Sequence, residues 1–167
     1  MQPTQRSRKG ESIMNGDRLR IPQDHDYFHA IGLAAVAFAR LEWDAVWCCE
    51  RLDGGYINTI EPRRKTAGRI GQEMSALFSR VADEALRLRI EPLAVEFCSI
   101  VEERNGLLHG KPGSTQNGDQ RLFRHEWEWT IDAVNAFSDR CVGAGLPLNS
   151  FLYAELGEGC SIALNPL

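Results

Sequence analysis

Hydrophobic residues recur at helical spacing over most of the chain. From near His25 they return every three or four positions: Phe28, Ile31, Ala35, Phe38, Leu41, Ala45, Cys48 and Leu52. Three more apolar residues widen this face: Val36, Trp43 and Trp47. The pattern predicts a long, central first helix. It ends in "LDGGYINTIEP", because Gly54 and Gly55 permit a stop and Pro62 resists continuation.

A second and a third helix follow. The second is predicted from Ile70, Met74, Leu77, Val81, Ala85 and Leu88. It should end before "IEP", because Pro92 suits the first turn of a new helix, where its missing amide hydrogen costs nothing. This third helix is expected to run from about residue 92 to His109, with Gly110 as its C-terminal cap.

The last part of the chain predicts one or two more helices. "KPGSTQNGDQ" is rich in turn residues and indicates a surface loop. A fourth helix is predicted from Trp127, Ile131, Val134, Phe137 and Cys141, and "VGAGLP" should end it before a short fifth helix at 148–156. No stretch alternates like a strand. The predicted fold is therefore all-α, an antiparallel bundle of four to five helices.

Size and charge limit the possible functions. A chain of 167 residues can form one domain with a substantial core, expected over residues 23–167. Residues 1–22 are polar and cationic and are expected to form a flexible tail. No apolar run is long enough to span a bilayer, so we expect a cytoplasmic protein without a membrane partner. The net charge of -4 argues against nonspecific coating of nucleic acid but permits a local phosphate site.

The cysteines and histidines give little sign of a metal or a disulfide. Five cysteines without CxxC spacing suggest neither a disulfide framework nor a zinc ribbon, and most are expected in the core. His25 and His29 have the spacing of two helical metal ligands, but a third ligand and the glutamate of a zinc protease are missing. Asp24 beside them is expected to cap the first helix. We predict neither a metal nor another cofactor.

Arg104 occupies an unusual place in "VEERNGLLHG". At about 100° per residue and with Leu93 at zero, the apolar side chains of this helix lie between about -40° and +80°. They are Leu93, Phe97, Ile100, Val101, Leu107 and Leu108. Arg104 falls near 20°, in the middle of this stripe, where an unpaired charge is costly. It therefore needs a carboxylate, a phosphate or a wet interface.

Two polar residues accompany this arginine. Asn105 and His109 lie near 120° and 160°, on the flank beside Arg104. At a helix C-terminus the dipole favours a positively charged imidazole, which suits proton exchange at physiological pH. An arginine that orients a phosphate beside such a histidine can support RNA cleavage without a metal, with the 2′-hydroxyl as nucleophile.

"RNGLLHG" resembles the R-x4-6-H motif of HEPN domains, which are all-α bundles common in prokaryotic toxin and defence systems. Asn105 fills the polar position that usually follows the arginine. The resemblance covers about residues 25–155, and it implies an endoribonuclease with Arg104, Asn105 and His109 at its site. It also implies a homodimer in which two motifs face each other across a cleft, and it leaves room for an antitoxin or another protein partner.

The alternative is a catalytically inactive HEPN-like module that binds a nucleotide or a protein, or that only dimerises. In that case Arg104 would pair with a buried glutamate, Glu42 or Glu96, and His109 would only cap the helix.

Two cationic segments are candidates for contact with RNA. They contribute Arg63, Arg64, Lys65 and Arg69 from "EPRRKTAGR", and Arg121 and Arg124 from "RLFRHEW". The alternative is that both segments are only solvated. Trp127 and Trp129 next to them can stack a base, although aromatic residues at a helix start more often belong to the core.

Overall fold

The structure, a computed structural model, describes residues 24–157 and 162–166. This part of the chain forms four α-helices: α1 (His25–Leu52), α2 (Ala67–Ser79), α3 (Glu84–Leu108) and α4 (Ile131–Ala154). A 3-10 helix, Tyr56–Thr59, follows α1, and three strands lie between α3 and α4: β1 (Lys111–Ser114), β2 (Gln120–Arg124) and β3 (Trp127–Trp129). The predicted tail at residues 1–22 lies outside the described residues.

Each α-helix begins with a side-chain cap. The carboxylate of Asp24 accepts the amide of Tyr27 at 3.1 Å, as predicted for the first helix. The other three caps are Thr66, Asp83 and Thr130. Their side-chain oxygens accept hydrogen bonds from the backbone amides of Arg69, Leu86 and Ala133, respectively. A cap of this type typically contributes about 1 kcal/mol to stability.

One hydrophobic core joins the four helices. It extends along the chain from Tyr27 to Leu156, with α1 packed mainly against α4 and α2 against α3. Cys48, Cys49 and Cys141 are buried in it, which confirms the prediction of core cysteines, whereas Cys160 lies outside the described residues. Burial raises the pKa of the Cys49 and Cys141 thiols to about 12, so both stay protonated at neutral pH. No helix in the described ranges combines the length and the apolar character needed to cross a membrane.

The boundary between the second and third helices was predicted wrongly. Helix α2 ends at Ser79, and α3 begins at Glu84 and continues through Pro92. Proline removes a hydrogen bond to the carbonyl four residues earlier, that of Leu88. Because Leu88 and Pro92 are both exposed, water can take the place of this bond.

Residues 162–166 cover the corner between α2 and α3. The amide of Ala82 donates to the Ala163 carbonyl at 2.9 Å, and the amide of Asn165 donates to the Arg80 carbonyl at 2.7 Å. Val81 pairs with Leu164 in an isolated antiparallel bridge and is fully buried. The corner is thus completed by a distant part of the chain.

Helix α4 also runs through its predicted break. It continues across "VGAGLP" to Ala154, so the expected fifth helix is the last part of α4. Pro147 is exposed, which lets water solvate the carbonyl that loses its partner. Gly145 is buried, and a Cβ there would lie 3.2 Å from the Asp44 side chain, so the glycine permits close packing of α4 on α1.

The expected surface loop is instead part of a small antiparallel sheet, in the order β1-β2-β3. The prediction of an all-α fold therefore holds only as a mostly helical one. Gly118 adopts φ +90° in the turn between β1 and β2, a conformation that glycine tolerates well. Contacts from both β2 and β3 fix the sheet to the helices. The Leu122 amide donates to the Tyr27 hydroxyl at 3.0 Å, and the buried Trp129 packs where Gly106 leaves room on α3.

Candidate active site

Arg104 lies in a groove between α1 and α3, with its side chain half-buried. Its guanidinium carbon is 4.7 Å from the centroid of the Phe38 ring, and its Nη1 donates to Asn105 Oδ1 at 2.9 Å. Its Nε is buried without a hydrogen-bond partner among the described residues. The groove holds a cavity of about 180 Å³, lined mostly by apolar side chains. A buried donor without an acceptor is uncommon and calls for an explanation.

Neither of the two candidate glutamates forms an ion pair with Arg104. Glu96 is engaged by Arg140, whose Nε lies 2.8 Å from Glu96 Oε1. Glu42 lines the Arg104 cavity but has no carboxylate oxygen within 4.0 Å of the guanidinium nitrogens. Burial raises the pKa of Glu42, and the charge of Arg104 opposes this shift. Within the described residues, Arg104 therefore lies near the carboxylate of Glu42 but forms no ion pair with it.

His109 is the C-terminal cap residue of α3, one position beyond the last helical residue. Its backbone amide donates to the Asn105 carbonyl at 3.1 Å, while its imidazole is exposed and has no hydrogen-bond partner in the described ranges. His109 lies about 7.5 Å farther along the helix axis than Arg104. The structure thus places Arg104 and Asn105 in direct contact and His109 at the C-terminal end of the same helix, exposed to solvent.

Two of the six predicted RNA-contacting cations are enclosed by protein. The Lys65 side chain is 4% exposed, and its Nζ lies 2.6 Å from Glu73 Oε2 and 3.7 Å from the centroid of the Tyr56 ring. Arg121 is 10% exposed and pairs with Asp24 at 2.9 Å. Both cations hold elements of the fold together, so we leave them out of the proposed RNA surface.

The other four predicted cations face solvent: Arg63, Arg64, Arg69 and Arg124. Arg69 shares Glu73 with Lys65, at 2.6 Å. Arg63 lines a different cavity from Arg104, together with Lys65 and Glu73. Arg124 is the cation that β2 places near the end of α3, because β2 packs on that helix.

Of the remaining candidate residues, the structure buries one and leaves three exposed. Trp129 is buried as expected for a core residue, whereas Trp127 is 63% exposed. His25 and His29 are exposed on the first turns of α1. In residues 24–157 and 162–166, no group of three or more histidine, cysteine, aspartate or glutamate side chains is arranged to hold a metal ion.

One surface was misjudged from the sequence. Val36, Trp43 and Trp47 were expected to widen the buried face of the first helix, yet they are exposed by 61%, 48% and 44%. Together with neighbouring residues on α1 and α4 they form the outer apolar face: Leu33, Val36, Trp43, Trp47, Val142, Leu146 and Tyr153. Exposed apolar surface of this kind usually marks an interaction site. It adjoins the Arg104 cavity on α1, where Ala35 and Ala39 are exposed and line the cavity wall.

No family model, no curated protein and no solved structure gives a significant match to this chain.

Proposed function

We propose that the protein is a metal-independent endoribonuclease of the HEPN type. The observation that carries the proposal is the state of Arg104: a half-buried guanidinium without an ion-pair partner among the described residues. Burying such a charge without a partner is unfavourable, and an incoming phosphate would supply the missing acceptor. Asn105 already holds one end of the guanidinium through the bond to its Oδ1.

The proposed reaction is an internal transesterification of RNA. The 2′-hydroxyl oxygen attacks the adjacent phosphorus, the bond from phosphorus to the 5′-oxygen breaks, and a 2′,3′-cyclic phosphate and a 5′-hydroxyl result. A proton leaves the 2′-oxygen and a proton reaches the 5′-oxygen. His109 is suited to this transfer because its imidazole is exposed, and Arg104 would stabilise the charge on the phosphate.

The dimer that the resemblance implies finds support in the outer apolar face. This face is contiguous with the Arg104 cavity, so covering it with a second copy would bring the two motifs toward a shared cleft. Arg40 and Asp44 line the groove between α1 and α4 in the same face. A two-fold interface must be self-complementary, and a surface that carries both charge signs within apolar residues meets this condition.

One observation favours the alternative, a catalytically inactive module that binds a nucleotide or a protein. The His109 imidazole has no hydrogen-bond partner among the described residues, whereas a catalytic histidine is usually oriented by a second group. In the nuclease this group would have to come from the substrate or from the second copy.

Cleavage in EDTA separates the two proposals. We expect purified protein to cut total RNA and tRNA in excess EDTA and to leave 2′,3′-cyclic phosphate ends, and we expect His109→Ala to lose at least about 100-fold in rate. His29→Ala is a matched control, because it removes another exposed imidazole of the chain. Circular dichroism should show that all three proteins are folded. If the wild type does not cleave, or if His109→Ala cleaves as fast as the control His29→Ala, the nuclease proposal is wrong.

The dimer has its own test. Light scattering on a sizing column should give twice the mass of one chain for the wild type and the mass of a single chain for the double variant Val36→Glu/Leu146→Glu. Both positions are more than 60% exposed, so the substitutions should not disturb the fold. Val95→Glu, at a residue 69% exposed on α3, is the control that should stay dimeric. A monomeric wild type at micromolar concentration would contradict the proposed dimer.

A further inference from the structure

A cross-strand pair at one end of the sheet is exposed although one of its members is a tryptophan. Arg124 of β2 pairs with Trp127 of β3, and both side chains face solvent. Because side chains alternate along a strand, the pair shares the sheet face of Leu122 and Trp129. That face packs on the end of α3, where Trp129 lies against Gly106 and Leu122 against Gly110. The exposed pair therefore extends a surface whose inner part is fixed to the helix that carries the candidate site.

The strand register brings this pair next to His109. Lys111 at the start of β1 pairs with Phe123, next to Arg124 at the end of β2, and Trp127 begins β3 opposite Arg124. A Cβ added at Gly110 would lie 3.0 Å from the Leu122 Cβ, so the residue after His109 lies against β2. His109 directly precedes Gly110. The histidine, Arg124 and Trp127 thus lie at the same end of the sheet.

The charges around the pair suit a phosphate chain. Arg124 and Lys111 are exposed, and neither forms an ion pair within the described part of the chain. Arg121, on the same strand, is by contrast neutralised by Asp24. In β3 and the turn before it, Glu128 pairs with Phe123, and alternation turns it to the opposite face of the sheet, whereas Glu126 lies in the turn.

We propose that Arg124 and Trp127 form a subsite for the unpaired nucleotide of single-stranded RNA next to the scissile phosphate. The base stacks on Trp127 and Arg124 contacts the phosphate. Aromatic side chains beside cations bind single strands in this way, because every base has a face that can stack, whereas the bases of a duplex are already stacked on each other. The subsite rests on the proposed nuclease function and adds to it a preference for single-stranded substrate.

Binding of an uncleavable RNA tests the subsite. The probe is a fluorescein-labelled single-stranded oligonucleotide with 2′-O-methyl groups, which removes the nucleophile, and the competitor is the same sequence as a duplex. We expect the single strand to bind more tightly than the duplex, and Trp127→Ala to weaken binding of the single strand roughly 5- to 150-fold. Trp127→Phe should restore most of this loss. Arg124→Ala should weaken binding and reduce its dependence on salt.

The controls are Leu88→Ala and Arg51→Ala, which remove an exposed apolar side chain and an exposed cation elsewhere on the molecule. Both should bind as the wild type does. Equal binding by Trp127→Ala and the wild type, or equal affinity for duplex and single strand, would overturn the subsite. If the protein cleaves RNA in EDTA but ignores the Trp127 substitution, the subsite fails and the nuclease stands. If it never cleaves but needs Trp127 for binding, the nuclease fails and the subsite remains as a binding site.

Discussion

The substitution Arg104→Met is expected to lower the rate of RNA cleavage in EDTA by about 100- to 1,000-fold, while the free energy of unfolding changes by no more than about 1 kcal/mol. Methionine fills similar space in the cavity beside Phe38 and removes the buried Nε that has no acceptor among the described residues. Removing such an orphaned donor stabilises a protein, which offsets the lost contact with the ring and the lost bond to Asn105. Urea unfolding at pH 7 measures the first quantity and the cleavage assay the second.

The expected loss of activity is large because Arg104 would act on charge that develops at the phosphate. Removing one such donor typically lowers the rate about 100- to 1,000-fold. Arg104→Lys keeps the charge but not the two-pronged geometry of the guanidinium, and should recover only part of the rate.

Arg140→Met is the matched control for this experiment. Arg140 is also a half-buried arginine, but it is held by Glu96 and Glu103 through its side-chain nitrogens. Its replacement should lower stability and leave the cleavage rate of the folded protein unchanged. If Arg104→Met instead destabilised the protein strongly and Arg140→Met did not, Arg104 would be a structural residue and the binding-module proposal would be favoured.

The second large effect concerns Glu73. The substitution Glu73→Gln is expected to lower the free energy of unfolding by about 3 kcal/mol, because it leaves the ammonium of Lys65 buried without its counter-charge. The same carboxylate also accepts from the Tyr56 hydroxyl at 2.8 Å and from Arg69 at 2.6 Å. One residue thus joins α2 to the segment that follows α1. Urea unfolding at pH 7 measures the change.

This carboxylate also predicts a dependence of stability on pH. Burial alone would raise the pKa of Glu73, but hydrogen bonds from Lys65, Tyr56 and Arg69 outweigh it and lower the pKa to about 2 from an ordinary value of 4.5. A pKa that is lower in the folded state means that the stabilisation is complete above pH 4.5 and is lost as the pH falls toward 2. The wild type should therefore lose more stability between pH 5 and about pH 3 than Glu73→Gln does.

Glu91→Gln is the control for the Glu73 experiments. Its carboxylate is 41% exposed and lies 4.0 Å from Arg87 on the surface of α3. Such surface pairs contribute little, so we expect a change below about 0.5 kcal/mol. A loss for Glu73→Gln no larger than this would show that the buried pair is not needed for stability.

The helices were predictable from the sequence where a repeating apolar pattern and a cap coincide. Asp24 caps α1 as expected, and the position of Arg104 within an apolar stripe is consistent with its contact to Phe38. The prolines misled because a proline inside a helix costs about 3 kcal/mol but does not always end it, and packing of the helix on the core can outweigh this cost. At Pro92 and Pro147 the helix surface is open to water, and the lost hydrogen bond costs less.

The sheet and the outer apolar face were missed for different reasons. The strands have only four, five and three residues, and all but Trp129 are exposed or half-exposed, so no alternation is visible in them. The dipeptide Asn117-Gly118 is a known hairpin signal and was the available clue. Trp43 and Trp47 were assigned to the core because α1 is apolar on most sides, and spacing alone does not tell which apolar side remains uncovered.

The ion-pair partners of the predicted RNA-contacting cations could not be read from the sequence, because tertiary structure brings them together. In the sequence, Lys65 and Arg121 look like free cations. The partner of Lys65 is Glu73, 8 residues away (73 minus 65), and the partner of Arg121 is Asp24, 97 residues away (121 minus 24). Only the packing of separate elements shows which cations remain available to a phosphate.

The covering of the α2–α3 corner by residues 162–166 sets an order of events during synthesis. Val81 and its partner Leu164 are 83 positions apart, as 164 minus 81 gives. A ribosome adds 5 to 20 residues per second, so about 4 to 17 s pass between the appearance of one partner and the other. During this interval the Arg80 carbonyl and the Ala82 amide of the nascent chain lack their native hydrogen-bond partners, Asn165 and Ala163. This corner is therefore completed only after residues 162–166 have been synthesised, and a shortened chain that lacks them would leave Val81 without its bridge partner Leu164.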